Sequence, residues 1–226
     1  MSKKAALILS GCGHKDGAEI TEAVSLNISL QEAGFEVSFF APDRLQADTV
    51  NHITHTEQTD TRNILIESAR IARGAIDSLD KLIVSEYDAI VLAGGFGVVK
   101  NFTNFLNEGR NASLKPDIGR VLAEALVQKK VLVGICAAPL MLAMAVKEAG
   151  GTGQQITFGT REQSMDFLSE IEPWGVVHIE KPIDQCKIDS HYRLVTAAAY
   201  MYEEATALEV FASARAAVKG LCSLLE

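Results

Sequence analysis

The feature that most constrains the fold of this chain is a strand–turn–helix pattern between Val131 and Leu142, VLVGICAAPLML. It begins as a short apolar, β-branched run and ends as an apolar run at helical spacing. Gly134 lies two residues before Cys136, and Pro139 lies three residues after it. This pattern is typical of a buried parallel strand that turns sharply into a helix. It places Cys136 at the carboxyl end of a sheet, beside the amino terminus of a helix.

Two interpretations of Cys136 are open. Free cysteines are among the most buried residues and often act only as small apolar side chains. A thiol on a sharp strand-to-helix turn can instead be a nucleophile, because the helix amino terminus favours the negatively charged thiolate. We favour the second interpretation and expect the pKa of Cys136 to be lowered.

Short apolar strands alternate with amphipathic helices along the rest of the chain, which predicts an α/β fold with a doubly wound, mostly parallel sheet. The chain shows no internal repeat, low-complexity tract or linker, so we expect a single domain over residues 1–226. The stretch 98–115, rich in Asn and Phe, is expected to be a long loop. A helix over 63–73 is expected to have Thr61 as its cap, followed by a short connecting segment at 76–79.

Composition excludes several functional classes. The net charge of −8 argues against a nucleic-acid partner, which would need a basic face. No apolar run approaches the roughly 20 residues that a membrane helix needs, so no membrane association is expected. Four scattered cysteines do not form a secreted disulfide framework. We therefore expect a cytoplasmic protein with reduced thiols.

Three loops are expected to meet at the carboxyl ends of the strands, where open α/β sheets bind ligands: 10–17, 94–97 and 135–139. Backbone N–H groups of the glycine-rich 94–97 loop, together with the N–H of Ala137, could form an oxyanion hole. The same glycines could equally form only a tight turn. A dinucleotide site is a weaker interpretation, because the first loop lacks a third glycine at the required spacing. We predict no cofactor.

Acidic and additional cysteine residues lie near the same edge of the sheet. Glu19 and Glu22 are three residues apart at the start of the first helix, where they either favour the helix dipole or reach the Cys136 thiol. A carboxyl beside a thiolate would be protonated, because two close negative charges disfavour each other. Cys12 is either a redox partner of Cys136 or an ordinary loop thiol. His52 and His55 lack a third ligand nearby, so no metal site is predicted.

The motifs resemble the PfpI superfamily of class I glutamine amidotransferase-like domains. Within it, the chain is most similar to the enhancing-lycopene-biosynthesis (ElbB-like) protein group, over nearly its whole length. The residues that carry the two resemblances are GAEITEAV at 17–24, AGGFG at 93–97, GICAAP at 134–139, SGCG at 10–13, APD at 41–43, Lys100-Asn101 and AYM at 199–201.

The resemblance implies a flavodoxin-like three-layer sandwich that forms a homodimer. It implies that Cys136 is the elbow thiol and Glu22 the glutamate beside it, with Glu19 as the second choice. It also implies that backbone groups of Gly95, Phe96 and Ala137 surround the oxyanion position. Similar proteins act as cofactor-independent glyoxalases, which convert a 2-oxoaldehyde to a 2-hydroxy acid through a hemithioacetal.

The chain departs from the active patterns of this superfamily at the histidine. Position 137 is Ala, where protease-like members have a His, and residues 197–200 contain no late His–Glu pair. Amidotransferase and peptidase activities are therefore not expected. Two hypotheses follow: a weak glyoxalase III-like lyase associated with isoprenoid biosynthesis, or a non-enzymatic regulator whose thiol senses oxidants or binds a small carbonyl ligand.

Overall fold

The computed structural model describes residues 2–226, and its centre is a seven-stranded sheet in the order β3-β2-β1-β4-β5-β9-β8. Every neighbouring pair is parallel except β8 and β9, which form an antiparallel hairpin. Two further short strands, β6 and β7, pair in a separate two-stranded parallel sheet. The strands are β1 Lys3–Ile8, β2 Phe35–Ala41, β3 Ile76–Ser78, β4 Ala89–Leu92, β5 Val131–Ile135, β6 Gln155–Ile156, β7 Val177–His178, β8 Cys186–Asp189 and β9 Leu194–Ala197.

Helices flank the sheet and complete a flavodoxin-like α/β sandwich, as the sequence predicts. Helix α1 packs along α8, and α5 packs along α6. Within residues 2–226 no helix is both long and apolar enough to cross a membrane. The helices are α1 Ile20–Glu32, α2 Ile64–Ile71, α3 Phe96–Phe102, α4 Phe105–Glu108, α5 Pro116–Val127, α6 Pro139–Glu148, α7 Met165–Ile171 and α8 Ala207–Leu225.

The central strands are apolar because both faces of the sheet are covered. Every residue of β4 and of β5 is buried, and the last four residues of β1 are buried as well. Strands covered on both faces lose the alternation of apolar and polar residues that a half-exposed strand shows. The turns at the carboxyl ends of these strands therefore follow directly from the buried core.

Several local predictions were wrong in detail. The predicted loop at 98–115 contains α3 and α4, because the buried Val98, Val99 and Phe102 follow helical spacing on the core face. Helix α2 is capped by Asn63 rather than Thr61, since the Asn63 side chain accepts a hydrogen bond from the backbone N–H of Ile66. The segment expected to be a connection near residue 76 is the edge strand β3.

Candidate functional site

The Cys136 turn has the geometry of a nucleophile elbow. Cys136 has a φ of 58°, in the left-handed region that non-glycine residues rarely adopt. Its backbone N–H donates to the carbonyl of Ala197 at 3.0 Å, so the end of β9 holds the turn in place. Pro139 then begins α6 at its first turn, where a missing N–H costs nothing. The thiol is consequently presented at the carboxyl edge of the sheet.

The glycine pair after β4 leaves room for this turn. A Cβ on Gly94 would lie 2.5 Å from the Cβ of Cys136 and 2.5 Å from Oε2 of Glu22. Gly95 has a φ of 91°, which a residue with a side chain rarely adopts. The two glycines thus form the tight turn expected from the sequence. The absence of side chains in this turn lets the loop after β4 lie close to the thiol.

Glu22 is fully buried on α1 and lies beside the thiol. Its Oε2 accepts a hydrogen bond from the N–H of Gly94 at 3.0 Å, and its Oε1 accepts one from the N–H of Tyr200 at 3.3 Å. The Cβ of Cys136 lies close to the same Oε2, because a Cβ on Gly94 would be 2.5 Å from each of these two atoms. Backbone donors from two different loops therefore fix the carboxyl against the sulfur.

Burial controls the protonation of this pair. It raises the pKa of Glu22 to about 8, with the nearby Glu19 carboxylate adding to the shift and the hydrogen bonds opposing it. At neutral pH Glu22 therefore mostly carries its proton. Burial, and next the Glu22 carboxylate, raise the pKa of Cys136 well above its ordinary value. The lowered pKa expected from the helix amino terminus was wrong, because taking the thiolate out of water outweighs the donors around it.

Glu19 has a different position from Glu22. It is the N-cap of α1, and its side chain accepts a hydrogen bond from the backbone N–H of Glu22 at 2.7 Å. It is partly exposed and lines the same crevice as Cys136. Burial raises the pKa of Glu19. Glu19 thus orients the start of α1 and contacts the crevice, while Glu22 contacts the thiol.

Two backbone donors act on the thiol. The N–H groups of Gly95 and Ala137 partly offset the raised pKa of Cys136, because they favour the thiolate. The N–H of Phe96, which the resemblance also implies at the oxyanion position, instead donates to the carbonyl of His14 at 2.6 Å. Phe96 is therefore already engaged as a donor, and its contribution to the site is its side chain, which lines the crevice.

The thiol opens onto a crevice of about 1330 Å³. Sequence reasoning missed several residues of its walls, above all His14, Lys100 and Leu106. His14 lies in the 10–17 loop at the end of β1, so the rule that ligands bind at strand ends could have found it. Lys100 and Leu106 lay in the stretch that was read as a loop, and recognising helices there would have placed them beside the site.

The histidines have other contacts. His178 accepts a hydrogen bond from the N–H of Phe158 through Nε2 at 3.2 Å, and His191 packs edge-on against Tyr192. His52 accepts from the N–H of Lys15 and packs edge-on against His14, with ring centroids 5.0 Å apart. Burial lowers the pKa of His14. The pKa of Cys136 responds instead to Glu22 and to the backbone N–H groups of Gly95 and Ala137.

Cys12 is not among the residues that line the crevice. It is a free thiol, and the charges of Glu67 and Arg70 on α2 act on its pKa. Burial and Glu67 raise its pKa. Over residues 2–226, no group of three or more His, Cys, Asp or Glu side chains is arranged to hold a metal ion.

The fold and this site define a class I glutamine amidotransferase-like domain. No family model matches the sequence. A human protein, glutamine amidotransferase-like class 1 domain-containing protein 3, mitochondrial, is 34% identical over 209 residues, which cover 89% of this chain and 76% of that protein. The chain belongs to this glutamine amidotransferase-like family, as its motifs predict.

Two solved structures extend the comparison. The isoprenoid biosynthesis protein with amidotransferase-like domain from Ehrlichia chaffeensis is 29% identical, with a TM-score of 0.90 and full coverage of both chains. Glyoxalase III from Candida albicans is 14% identical, with a TM-score of 0.59, and the match covers 99% of this chain and 96% of that one. The second likeness is one of fold alone.

Proposed function

We propose that this protein is a cofactor-independent glyoxalase III-like lyase that converts glyoxal or methylglyoxal to the corresponding 2-hydroxy acid. The observation that carries the proposal is the pairing of the Cys136 thiol with the protonated Glu22 carboxyl, under the N–H groups of Gly95 and Ala137. A fold likeness to a glyoxalase III supports it.

A protonated carboxyl beside the thiol can do the work of the histidine that protease-like members carry at position 137, where this chain has Ala. It holds both a proton donor and an acceptor oxygen, so it can take the thiol proton on one oxygen while giving its own proton to the substrate. The sulfur then bonds to the aldehyde carbon as the C=O π bond opens, and the former carbonyl oxygen receives the proton. The product is a hemithioacetal on Cys136, with its oxygen beside the backbone donors of Gly95 and Ala137.

The remaining steps need no outside oxidant. Glu22 again carries one proton after the first step, so one of its oxygens takes the proton from the former aldehyde carbon while the other gives its proton to the ketone oxygen, which produces an enediol. Glu22 then gives a proton to the neighbouring carbon and takes the hydroxyl proton from the first carbon. The first carbon is thereby oxidised to a thioester and the second is reduced to an alcohol. Water then cleaves the carbon–sulfur bond, which releases the 2-hydroxy acid and regenerates the thiol. In the overall reaction, one oxoaldehyde and one water give one 2-hydroxy acid.

The test is turnover of glyoxal and methylglyoxal by three proteins prepared identically: wild type, Cys136→Ala and Cys222→Ala. Cys222 lies on α8 and does not line the crevice, so its variant is the matched control. We expect 2-hydroxy acid from wild type and from the control, and a loss of at least 100-fold in Cys136→Ala. Equal rates in wild type and Cys136→Ala would remove the thiol mechanism.

The alternative of a thiol-based oxidant sensor is less well supported. Sensor thiols oxidise through the thiolate, and the raised pKa of Cys136 disfavours that form. Treatment with dilute peroxide followed by mass spectrometry separates the two proposals. Selective sulfenic or sulfinic modification of Cys136 over Cys222, without turnover of either aldehyde, would favour the sensor.

We further propose a link to isoprenoid metabolism, which the likeness to the isoprenoid biosynthesis protein from Ehrlichia chaffeensis supports, and cytoplasmic residence. The human relative is named as mitochondrial, so the compartment needs its own test, namely imaging or fractionation of the tagged chain.

Homodimer formation is supported by an apolar stripe on α1. Ile20, Val24 and Ile28 are 41–47% exposed at helical spacing. Sedimentation of wild type and Val24→Asp tests this, since a dimer built on the stripe would dissociate in the variant.

A further inference from the structure

The crevice is larger than the smallest substrates of the proposed reaction require. Its volume of about 1330 Å³ exceeds the roughly 300–1,000 Å³ of pockets that enclose drug-sized ligands. Glyoxal and methylglyoxal have only two or three carbon atoms. Space beyond the thiol is therefore left for a further part of the substrate.

Apolar side chains face this space. Phe96 is 41% exposed and Leu106 is 54% exposed, and both line the crevice. Phe96 directly follows the Gly94-Gly95 turn, where a Cβ on Gly94 would lie 2.5 Å from the Cβ of Cys136, so its side chain begins close to the reacting centre. Phe105 and Phe167, with ring centroids 6.0 Å apart, continue the apolar wall.

Two charged residues of the wall next to Phe96 and Leu106 are already engaged. The Lys100 ammonium bonds to Asp48 at 2.6 Å and lies 5.7 Å from the centre of the Phe96 ring. Glu170 accepts the backbone N–H of Arg110 at 2.9 Å and pairs with its guanidinium. A charged substrate group would have to displace one of these pairs to contact Lys100 or Glu170, whereas an apolar group would cover exposed Phe96 and Leu106.

We propose that the crevice is a subsite for the substituent of the oxoaldehyde, and that the preferred substrates are 2-oxoaldehydes with an aryl or long alkyl group rather than glyoxal itself. This inference rests on the proposed function. The carbonyl carbon reacts at Cys136, and the substituent lies against the Phe96 ring and extends towards Leu106.

The first test measures kcat/KM for phenylglyoxal and methylglyoxal, which undergo the same reaction and differ by phenyl for methyl. The proteins are wild type, Phe96→Ala, Leu106→Ser and the control Ile83→Ser, whose side chain is 56% exposed outside the crevice. We expect the phenylglyoxal-to-methylglyoxal ratio to fall about 10-fold in Phe96→Ala and several-fold in Leu106→Ser, and to stay at the wild-type value in the control. An unchanged ratio in both crevice variants overturns the subsite. Circular dichroism verifies that each variant is folded.

A second test separates failure of the subsite from failure of the proposed reaction. If wild type turns over neither aldehyde, the glyoxalase function fails, and binding of the two product acids still reports on the crevice. Titration calorimetry with mandelate and lactate is then expected to show tighter binding of mandelate, weakened about 10-fold by Phe96→Ala. Mandelate that binds no more tightly than lactate, or binding of neither acid, overturns the inference.

Discussion

The carboxyl of Glu22 and the thiol of Cys136 meet across Gly94, at a point where a side chain on residue 94 would collide with both. A Cβ there would lie 2.5 Å from the Cβ of Cys136 and 2.5 Å from Oε2 of Glu22. Three elements converge on this point: α1 supplies the acid, the β5–α6 turn supplies the thiol, and the β4–α3 turn supplies an N–H to each. The pair therefore depends on backbone approach as much as on its two side chains.

Alkylation of Cys136 should follow the protonation of Glu22. Because the pKa of Glu22 is raised to about 8, the carboxylate that can take the thiol proton forms as the pH rises through that value. We expect the rate of iodoacetamide modification of Cys136 to increase with a midpoint near pH 8. In Glu22→Gln the midpoint should move to higher pH, because the thiol must then titrate without a base. Peptide mass spectrometry gives the rate of Cys136 modification in wild type and in Glu22→Gln, with the modification of Cys222 as the internal reference. Superimposable pH profiles for wild type and Glu22→Gln would contradict this coupling.

The stability of the protein should also depend on Glu22. Its pKa rises from an ordinary 4.5 to about 8 on folding, so the folded state binds the proton more tightly. The resulting stabilisation is fully present below about pH 4.5 and is lost as the pH rises to about 8. Relative to Glu22→Gln, we expect the free energy of unfolding of wild type to fall by a few kcal/mol over this range. Urea unfolding at several pH values measures it. Glu204→Gln, a control at an exposed position, should show the same dependence of the free energy of unfolding on pH as wild type.

Gly94→Ala should destabilise the fold and disturb the site. The added methyl group has no free space, and the neighbouring carbonyl oxygen of Ile135 would lie only 2.8 Å away. We expect a loss of about 2 kcal/mol or more. Gly119→Ala is the matched control, because its Cβ would meet only Leu114, at 3.5 Å, in the interior of α5. That change should be neutral or stabilise by about 0.5–1 kcal/mol. Equal denaturation midpoints for the two variants would refute the steric argument.

Asn101 should be a structural determinant of the crevice. Its buried amide donates to the carbonyls of Ser10 and Asp16 at 2.9 Å each and accepts from the N–H of Ala47 at 2.8 Å. These bonds tie both ends of the loop after β1 to α3. We expect Asn101→Ala to cost about 2–4 kcal/mol, because two buried backbone carbonyls and the part-buried N–H of Ala47 lose a partner. Asn107→Ala, on the exposed side of α4, should change the denaturation midpoint little. Faster amide exchange confined to residues 10–17 and 47 in Asn101→Ala would identify the loop as the affected region.

Strong local patterns made much of the fold predictable. The buried strand before Cys136 is apolar along its whole length and the helix after it is apolar as far as Val146, and such runs have few alternative placements. The segment 98–115 was missed because α3 and α4 are only seven and four residues long. Helices of that length are fixed by packing, here by the burial of Phe102 and Phe105, more than by intrinsic propensity.

The sequence by itself determined the parallel α/β architecture and the elbow at Cys136, since each follows from a contiguous pattern. The spacing of Glu19 and Glu22 left their roles open, and only the family resemblance favoured Glu22. Only the tertiary structure decided how the pair is protonated. The position of a thiol beside a helix amino terminus predicts a lowered pKa, but the degree of burial sets the cost of removing charge from water, and it depends on every element that covers the site. The same holds for the donors to Glu22: the Gly94 and Tyr200 amides lie 72 and 178 residues away along the chain, and only folding brings them together.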